Sequence, residues 1–251
     1  MKISIITVVL NNHDYFEDCL KSIFGQTYSQ LESIVVDGGS TDGSLEIIRR
    51  YEKNIARWIS EKDSGIYDAM NKGLRLATGD VVGFLNSDDI FYDQHVISQI
   101  TEAFTPDTDC VYGNLLYVSR ANISHVTRRW ISNDFLPGLF EKSWTPAHPT
   151  FYCRKKMYEL YGLYRLDFQI AADVELMYRF LQKYAIRSKF INRYIVKMRD
   201  AGVSNRNLKS TWIITREMKR AIRENSGHFN LAKYLFFKLL KAKQIAFKNR
   251  E

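Results

Sequence analysis

Cysteine is scarce in this chain. Three thiols in 251 residues, Cys19, Cys110 and Cys153, stand far apart, are odd in number and show no C-x-x-C spacing. A secreted disulfide framework shows an even, denser set, so the sequence reads as that of a cytoplasmic protein with reduced thiols. Proline is nearly as rare, with four residues, and the thirteen glycines are scattered. There is no fixed-period repeat and no stretch of linker composition, which excludes a repeat array or a disordered tail. Long apolar runs are also missing. The segment Ile3–Leu10 follows Lys2 but is too short for a signal peptide and runs into Asn11, Asn12 and His13 without a small-residue cleavage site, so it reads as a first strand. Nothing approaches the roughly 20 apolar residues that a membrane-spanning helix needs. Finally, no Gly-x-Gly-x-x-Gly turn follows the first strand, which counts against an NAD-linked enzyme.

What is present suffices for a packed core: 45% of residues are hydrophobic and 25% charged, a balance that needs no disulfide or metal to fold. The net charge of +8 is unevenly placed. Residues 201–251 carry twelve Lys/Arg against three Asp/Glu, while the first 200 carry 24 against 25. A neutral body with a basic tail, lacking any nucleic-acid reading motif, argues against a nucleic-acid partner and favours an appendage suited to an anionic surface.

Short apolar runs alternate with segments of helical period, the pattern of a mostly parallel sheet flanked by helices. Strands are predicted at Ile3–Leu10, Ser33–Asp37, Arg57–Ser60, Val81–Asn86, Asp109–Asn114 and Lys189–Met198, and helices at Tyr15–Phe24, Ser44–Tyr51, Ile66–Ala77 and Gln94–Phe104. Right-handed crossovers put the loops after these strands on one edge of the sheet, where ligands of open α/β sheets bind. Those loops are polar, and three are acidic: Asn11-Asn12, then Asp37 to Gly43, then Glu61-Lys62-Asp63, then Asn86-Ser87-Asp88-Asp89. Each alone is a common turn or helix cap; Ser40 or Asp42 is placed to cap the second helix, and Ser87, Asp88 or Asp89 the fourth. Their conjunction points to a site. Asp88 and Asp89 repel each other, and a hard cation such as Mg²⁺ or Mn²⁺ removes that penalty while filling its remaining positions with substrate phosphate oxygens and water.

The segments Ile3–Asn12, Val35–Ser44 and Ala77–Asp89, with Ile66–Gly73 between the last two, resemble the family 2 glycosyltransferases over roughly the first 115 residues, and the likeness resumes at Ile170–Arg179. The resemblance implies a GT-A-like α/β fold and residue roles. Thr7 and Val9 would line the nucleoside pocket with Asn11, Gly39 and Asn71 nearby, and Asp37 would accept a hydrogen bond from the base. Asp63, with Lys62, would lie near the nucleoside or sugar. Asp89 would be the principal metal ligand for Mg²⁺ or Mn²⁺, with Asp88 facing ribose or sugar or sharing the metal. Asn86 stands where the family more often has aspartate. Asp173, in Ala171-Ala172-Asp173-Val174-Glu175-Leu176, would be the catalytic base, with Ala172 replacing the usual glutamate; Glu175, two residues on, faces elsewhere.

Less sharply marked are Trp144 and His148 as acceptor-cleft residues, Arg128 and Arg129 as phosphate ligands, and Ala201–Arg206 as a lid. The organisation expected is a donor-binding half at 1–115, an acceptor-binding and catalytic-base half of the same domain at 116–205, and a basic helical extension at 206–251. That extension, with Trp212, Phe236 and Leu239 beside Lys233, Lys238, Lys241 and Lys243, reads equally as a helix packed on the body or one lying on an anionic membrane. The reaction expected is inverting transfer of a sugar from a nucleoside diphosphate, UDP for preference, to a hydroxyl of a glycan or lipid-linked acceptor, as in bacterial surface polysaccharide assembly. The setting is the cytoplasm, at the inner membrane face if the tail docks. Two alternatives stand: a sugar nucleotidyltransferase, which would carry a Gly-rich basic loop where Leu10–Asp14 lies, and a non-catalytic nucleotide or carbohydrate-binding module, which would lack a base.

Overall fold

A computed structural model describes residues 1–200, 208–225 and 227–248. The first half is wholly parallel. Strand β1 (Ile3–Val9) is buried along its length, as a central parallel strand covered on both faces must be. It pairs with β2 (Leu31–Asp37) on one side and β4 (Val81–Phe84) on the other, and β3 (Arg57–Ser60) pairs outside β2. Alternation along the strands divides the core. Val9 and Val35 meet Phe16 and Leu20 of α1 (His13–Phe24) and Ile47 and Ile48 of α2 (Ser44–Arg50). Ile6, Val8, Ile34 and Val36 meet Tyr67, Met70 and Leu74 of α3 (Ile66–Leu76) on the opposite face. Helix α3 lies close because Gly73 has no side chain: a Cβ there would fall 2.3 Å from Ile6 Cγ2.

The second half adds β5 (Ile90–Phe91), α4 (Val96–Ala103), β6 (Cys110–Val118), β7 (Val126–Trp130), β8 (Tyr152–Arg154), α5 (Lys155–Tyr161), α6 (Ala172–Tyr178) and β9 (Ser188–Arg199). Helix α6 runs on into a π-helical turn at Arg179–Lys183. The sheet order is β3-β2-β1-β4-β8-β6-β9-β5, with β7 beside β6. The two longest ladders, β1–β2 and β6–β9, are parallel, so the sheet is mostly parallel as expected; β8, β7 and β5 enter antiparallel. Most boundaries match the sequence reading within two residues. The exception is β6, expected to stop at Asn114, which continues through buried Leu115, Leu116, Tyr117 and Val118.

Helices α7 (Leu208–Glu224) and α8 (Leu231–Lys248) complete the described chain. Helix α7 places Met218, Ala221 and Ile222, and α8 places Tyr234, in the same core as α3 and α6. The outer side of α8 leaves Leu231, Leu235, Phe236, Leu239 and Leu240 exposed, and Trp212 of α7 is exposed too. The lid expected at Ala201–Arg206 lies outside the described residues, as do the side chains of Lys241 and Lys243. Among the described residues no helix is long and apolar enough to cross a membrane.

Candidate active site

The chain passes from β1 outward to β3 and then returns to β4 on the other side of β1, so the crevice at the carboxyl ends of β1 and β4 is the switch point where such sheets bind ligands. On its β1–β3 side, the predicted residues converge. Asn11, at φ 49°, accepts the Thr41 amide on its Oδ1 at 2.9 Å and donates its own amide to Ser40 Oγ at 2.9 Å. The buried Asp37 carboxylate accepts the Ser40 amide at 3.1 Å and the Ser60 hydroxyl at 2.6 Å, and Gly39 donates to it at 3.3 Å. Asp63 closes the row against Gly38, where a Cβ would sit 2.5 Å from Asp63 Oδ2, while its Oδ1 accepts the Gly65 amide at 2.9 Å. Thr7 and Val9 lie beneath this surface in the packed interior. Asn71 is buried as well, and its amide exchanges both hydrogen bonds with the Tyr164 backbone, at 2.8 and 3.0 Å, pinning α3 to the loop before α6.

The acidic pair follows β4. Its loop is tied to β1 and α1: Asn12 Nδ2 donates to Ser87 Oγ at 2.8 Å, and Cys19 Sγ to the Asn86 carbonyl at 3.3 Å. Helix α4 begins only at Val96, and its Ile97 amide donates to Gln26 Oε1 at 3.1 Å, so none of Ser87, Asp88 or Asp89 serves as its cap. Asp89 is fully buried, accepting from Asn86 Nδ2 at 3.2 Å and the Arg199 amide at 3.3 Å. Burial, reinforced by the Asp88 charge, pushes its carboxyl well above the usual range. The Asp88 side chain is 27% exposed and faces the Arg120 guanidinium at 3.9 Å. All donors here are oxygens, as a hard divalent cation prefers, and the buried Asn86 Oδ1 has no protein partner. Among the described residues no three His, Cys, Asp or Glu cluster as a full protein cage. A divalent cation here would be held by one or two carboxylates and completed by substrate.

Asp173 opens α6, partly exposed, and accepts from Tyr67 Oη at 3.3 Å; the same hydroxyl donates to the Ile170 carbonyl. Burial raises its pKa, and nearby His148 partly offsets that. His148 is buried, pairs through Nε2 with Tyr164 Oη at 2.7 Å, and packs on Phe84 with ring centroids 5.4 Å apart. Phe84 is the last residue of β4, so the His148–Tyr164 pair packs on the end of that strand, with His148 also within electrostatic reach of Asp173. Glu175 turns inward instead, paired with Arg179 at 3.0 Å and holding Asn225 at 3.1 Å. Trp144 is enclosed by Tyr112, Phe135 and Phe140 at 5.9–6.1 Å, so its ring packs on protein aromatics. On β7, the Arg128 guanidinium lies over Tyr117 at 4.1 Å, and Arg129 is exposed.

The sequence profile described as Glycosyl transferase family 2 matches residues 4–161. This chain is a family 2 glycosyltransferase. A glycosyltransferase of PGL/p-HBAD biosynthesis from Mycobacterium bovis is 30% identical over 209 residues, covering 80% of this chain and 78% of its own. An uncharacterized glycosyltransferase of Mycobacterium tuberculosis is 35% identical over 187 residues, covering 70% and 68%. Among solved structures, Staphylococcus aureus TarS 1–349 in complex with UDP-GlcNAc shares the fold with TM-score 0.67 and 17% identity, over 93% of this chain and 69% of that one. A mannosyltransferase from Pyrobaculum calidifontis, in complex with GDP-Man and Mn²⁺, does so with TM-score 0.67 and 19% identity, over 94% and 69%.

The glycosyltransferase carries groups at this edge that the sequence reading passed over. Arg199, the last residue of β9, is 3% exposed; it donates to the Asp88 carbonyl at 2.7 Å and to Asp18 Oδ2 at 2.8 Å. Tyr15 of α1 lies 4.7 Å from both the Arg199 and Arg120 guanidiniums. Ending the fifth predicted strand at Asn114 hid Arg120: carried to Val118, the apolar run makes it a residue just past a strand end. Glu217 of α7 accepts the amides of Gln169, Ile170 and Ala171 at 2.7, 3.0 and 2.9 Å, holding the backbone that leads into Asp173. No local sequence signal marks that contact.

Proposed function

We propose that the enzyme transfers a sugar from a UDP-sugar, with inversion, to a hydroxyl of a glycan or lipid-linked acceptor in surface polysaccharide assembly. Two observations carry this reading: the partly exposed carboxylate of Asp88 just after β4, and that of Asp173 at the head of α6, whose pKa burial raises. Asn11, Asp37, Gly39 and Asp63 form the nucleoside side. Because Asp89 is buried and already hydrogen-bonded, Asp88 is the ligand we assign to Mg²⁺ or Mn²⁺, and Asp89 fixes the loop against Arg199. A bound divalent cation supplies positive charge to the diphosphate oxygens as the bond to the sugar breaks. Asp173 takes the proton of the acceptor hydroxyl on the opposite side, and its raised pKa makes it a better acceptor for that proton. Tyr67 donates a hydrogen bond to that carboxylate, and nearby His148 pairs with Tyr164. Thr7, Val9, Asn71 and Trp144 support the site from within the core.

Asp173→Asn provides the test. It spares UDP binding in the presence of Mn²⁺ and abolishes transfer; retained turnover would place the base elsewhere. The exposed apolar residues of α8, beside Lys233 in a basic segment, support peripheral contact with an anionic membrane at its cytoplasmic face. Flotation with anionic vesicles checks this, and absence of binding by the full chain removes it.

A further inference from the structure

Two arginines reach the acidic loop through the register of the sheet. Strands β6 and β9 run parallel with Val118 opposite Arg199, and the Asp200 amide donates to the Val118 carbonyl at 2.9 Å. Arg120, two residues past the end of β6, therefore arrives at the same place as Arg199, and the two guanidiniums share the Tyr15 ring, each 4.7 Å from its centroid. Their situations differ. Arg199 is 3% exposed and committed to Asp18 and to the Asp88 carbonyl. Arg120 is 35% exposed, and its polar contact among the described residues is the Asp88 carboxylate at a loose 3.9 Å. It neutralises the carboxylate assigned to the metal without forming a close hydrogen bond to it.

A cation arriving at Asp88 must meet that guanidinium. Two positive groups on one carboxylate repel, so Arg120 opposes metal binding as long as it remains there. A diphosphate resolves the conflict, because a guanidinium presents two parallel N–H donors to phosphate oxygens. We infer that Arg120 is the transferable cation of the donor site: it covers Asp88 before donor binds and turns to the donor's diphosphate afterwards. The inference rests on the donor-site reading above. It makes nucleotide and metal binding mutually dependent, since each removes an obstacle to the other.

Calorimetric titration of the full chain with Mn²⁺ alone, and with UDP in saturating Mn²⁺, tests it on wild type, Arg120→Ala and Arg120→Lys. Arg120→Ala is expected to bind Mn²⁺ alone more tightly and UDP about tenfold more weakly, the loss of a charge-assisted phosphate contact. Opposite changes for two ligands are not what general loosening of a loop produces. Arg120→Lys keeps the charge but not the fork, so Mn²⁺ affinity stays as in wild type while UDP weakens; it also supplies the readout if the alanine variant does not fold. Unchanged or weaker Mn²⁺ binding by Arg120→Ala, or UDP affinity within twofold of wild type, overturns the inference. If wild type itself fails to bind UDP in Mn²⁺, the donor-site reading fails and this inference falls with it.

Discussion

At the scale of the residue, Asp88 and Asp89 have different surroundings, and the proposed function gives them different jobs for that reason. Asp88→Asn removes the accessible carboxylate and is predicted to eliminate Mn²⁺-dependent UDP binding while changing stability by no more than about 0.5 kcal/mol, as at most surface positions. Asp89→Ala is predicted to behave differently, because it strands the Arg199 amide and Asn86 Nδ2 in a buried place. The cost expected is about 1–3 kcal/mol, read as a lower chemical-denaturation midpoint. Asp173 adds a pH dependence. Its folded pKa is raised, so the protein binds the proton more tightly than the unfolded chain does, and this group's contribution to stability falls as pH rises from the ordinary aspartate value through the raised one. Asp173→Asn should therefore melt no lower than wild type at neutral pH while losing transfer, and the acid limb of the wild-type rate should lie above the ordinary aspartate range. A rate flat in pH across that range would contradict the assignment.

At the scale of the element, α6 is positioned from both ends. Glu217 holds the three amides before its first turn, and the Glu175–Arg179–Asn225 network anchors its middle to α7. Glu217→Ala is predicted to destabilise by about 2–4 kcal/mol, since it leaves three amides of the turn without their acceptor, and to lower kcat more than the KM for donor. Equal effects on both would place Glu217 outside the positioning of Asp173. The elements of the first half were legible because each was a short apolar run closed by polar turn residues, and the post-strand rule is what singled out Asn11, Asp37, Asp63 and Asp88 as candidates. What stayed hidden depends on distant partners. The buried reach of β6 past Asn114 is set by its pairing with β9, and Arg120 was lost with it. Trp144 and Asn71 looked available in sequence because nothing local shows that aromatic neighbours enclose one and the Tyr164 backbone occupies the other.

At the scale of the whole molecule, the two edges of the sheet have separate work. The far edge holds the strands together: buried Glu32 accepts from Ser4 Oγ at 2.6 Å and from Thr78 Oγ at 2.7 Å, and pairs with Lys2. Burial alone would raise its pKa, but the hydrogen bonds from Lys2, Ser4 and Thr78 outweigh burial and hold it at about 2. A depressed carboxylate stabilises the fold above its unfolded pKa, and that contribution is lost as pH falls from about 5 towards 2. Glu32→Gln should remove this part of the acid-side loss, measured as denaturation midpoints across that range. Part of the Ala77–Asp89 motif, at Thr78, thus serves stability, while the part at Asp88 lies at the opposite end of β4, half-buried beside Arg120. The carboxyl-terminal edge is where the proposed function places the chemistry, and the claim that it binds a nucleoside diphosphate with a divalent cation underlies the rest. Thermal melting of the full chain with UDP, GDP and their sugars, with and without Mn²⁺, tests it most directly. The account predicts a metal-dependent rise with UDP and its sugars, worth about 2.7 kcal/mol at 100 times the dissociation constant. No shift with any nucleotide in the presence of Mn²⁺ would contradict it.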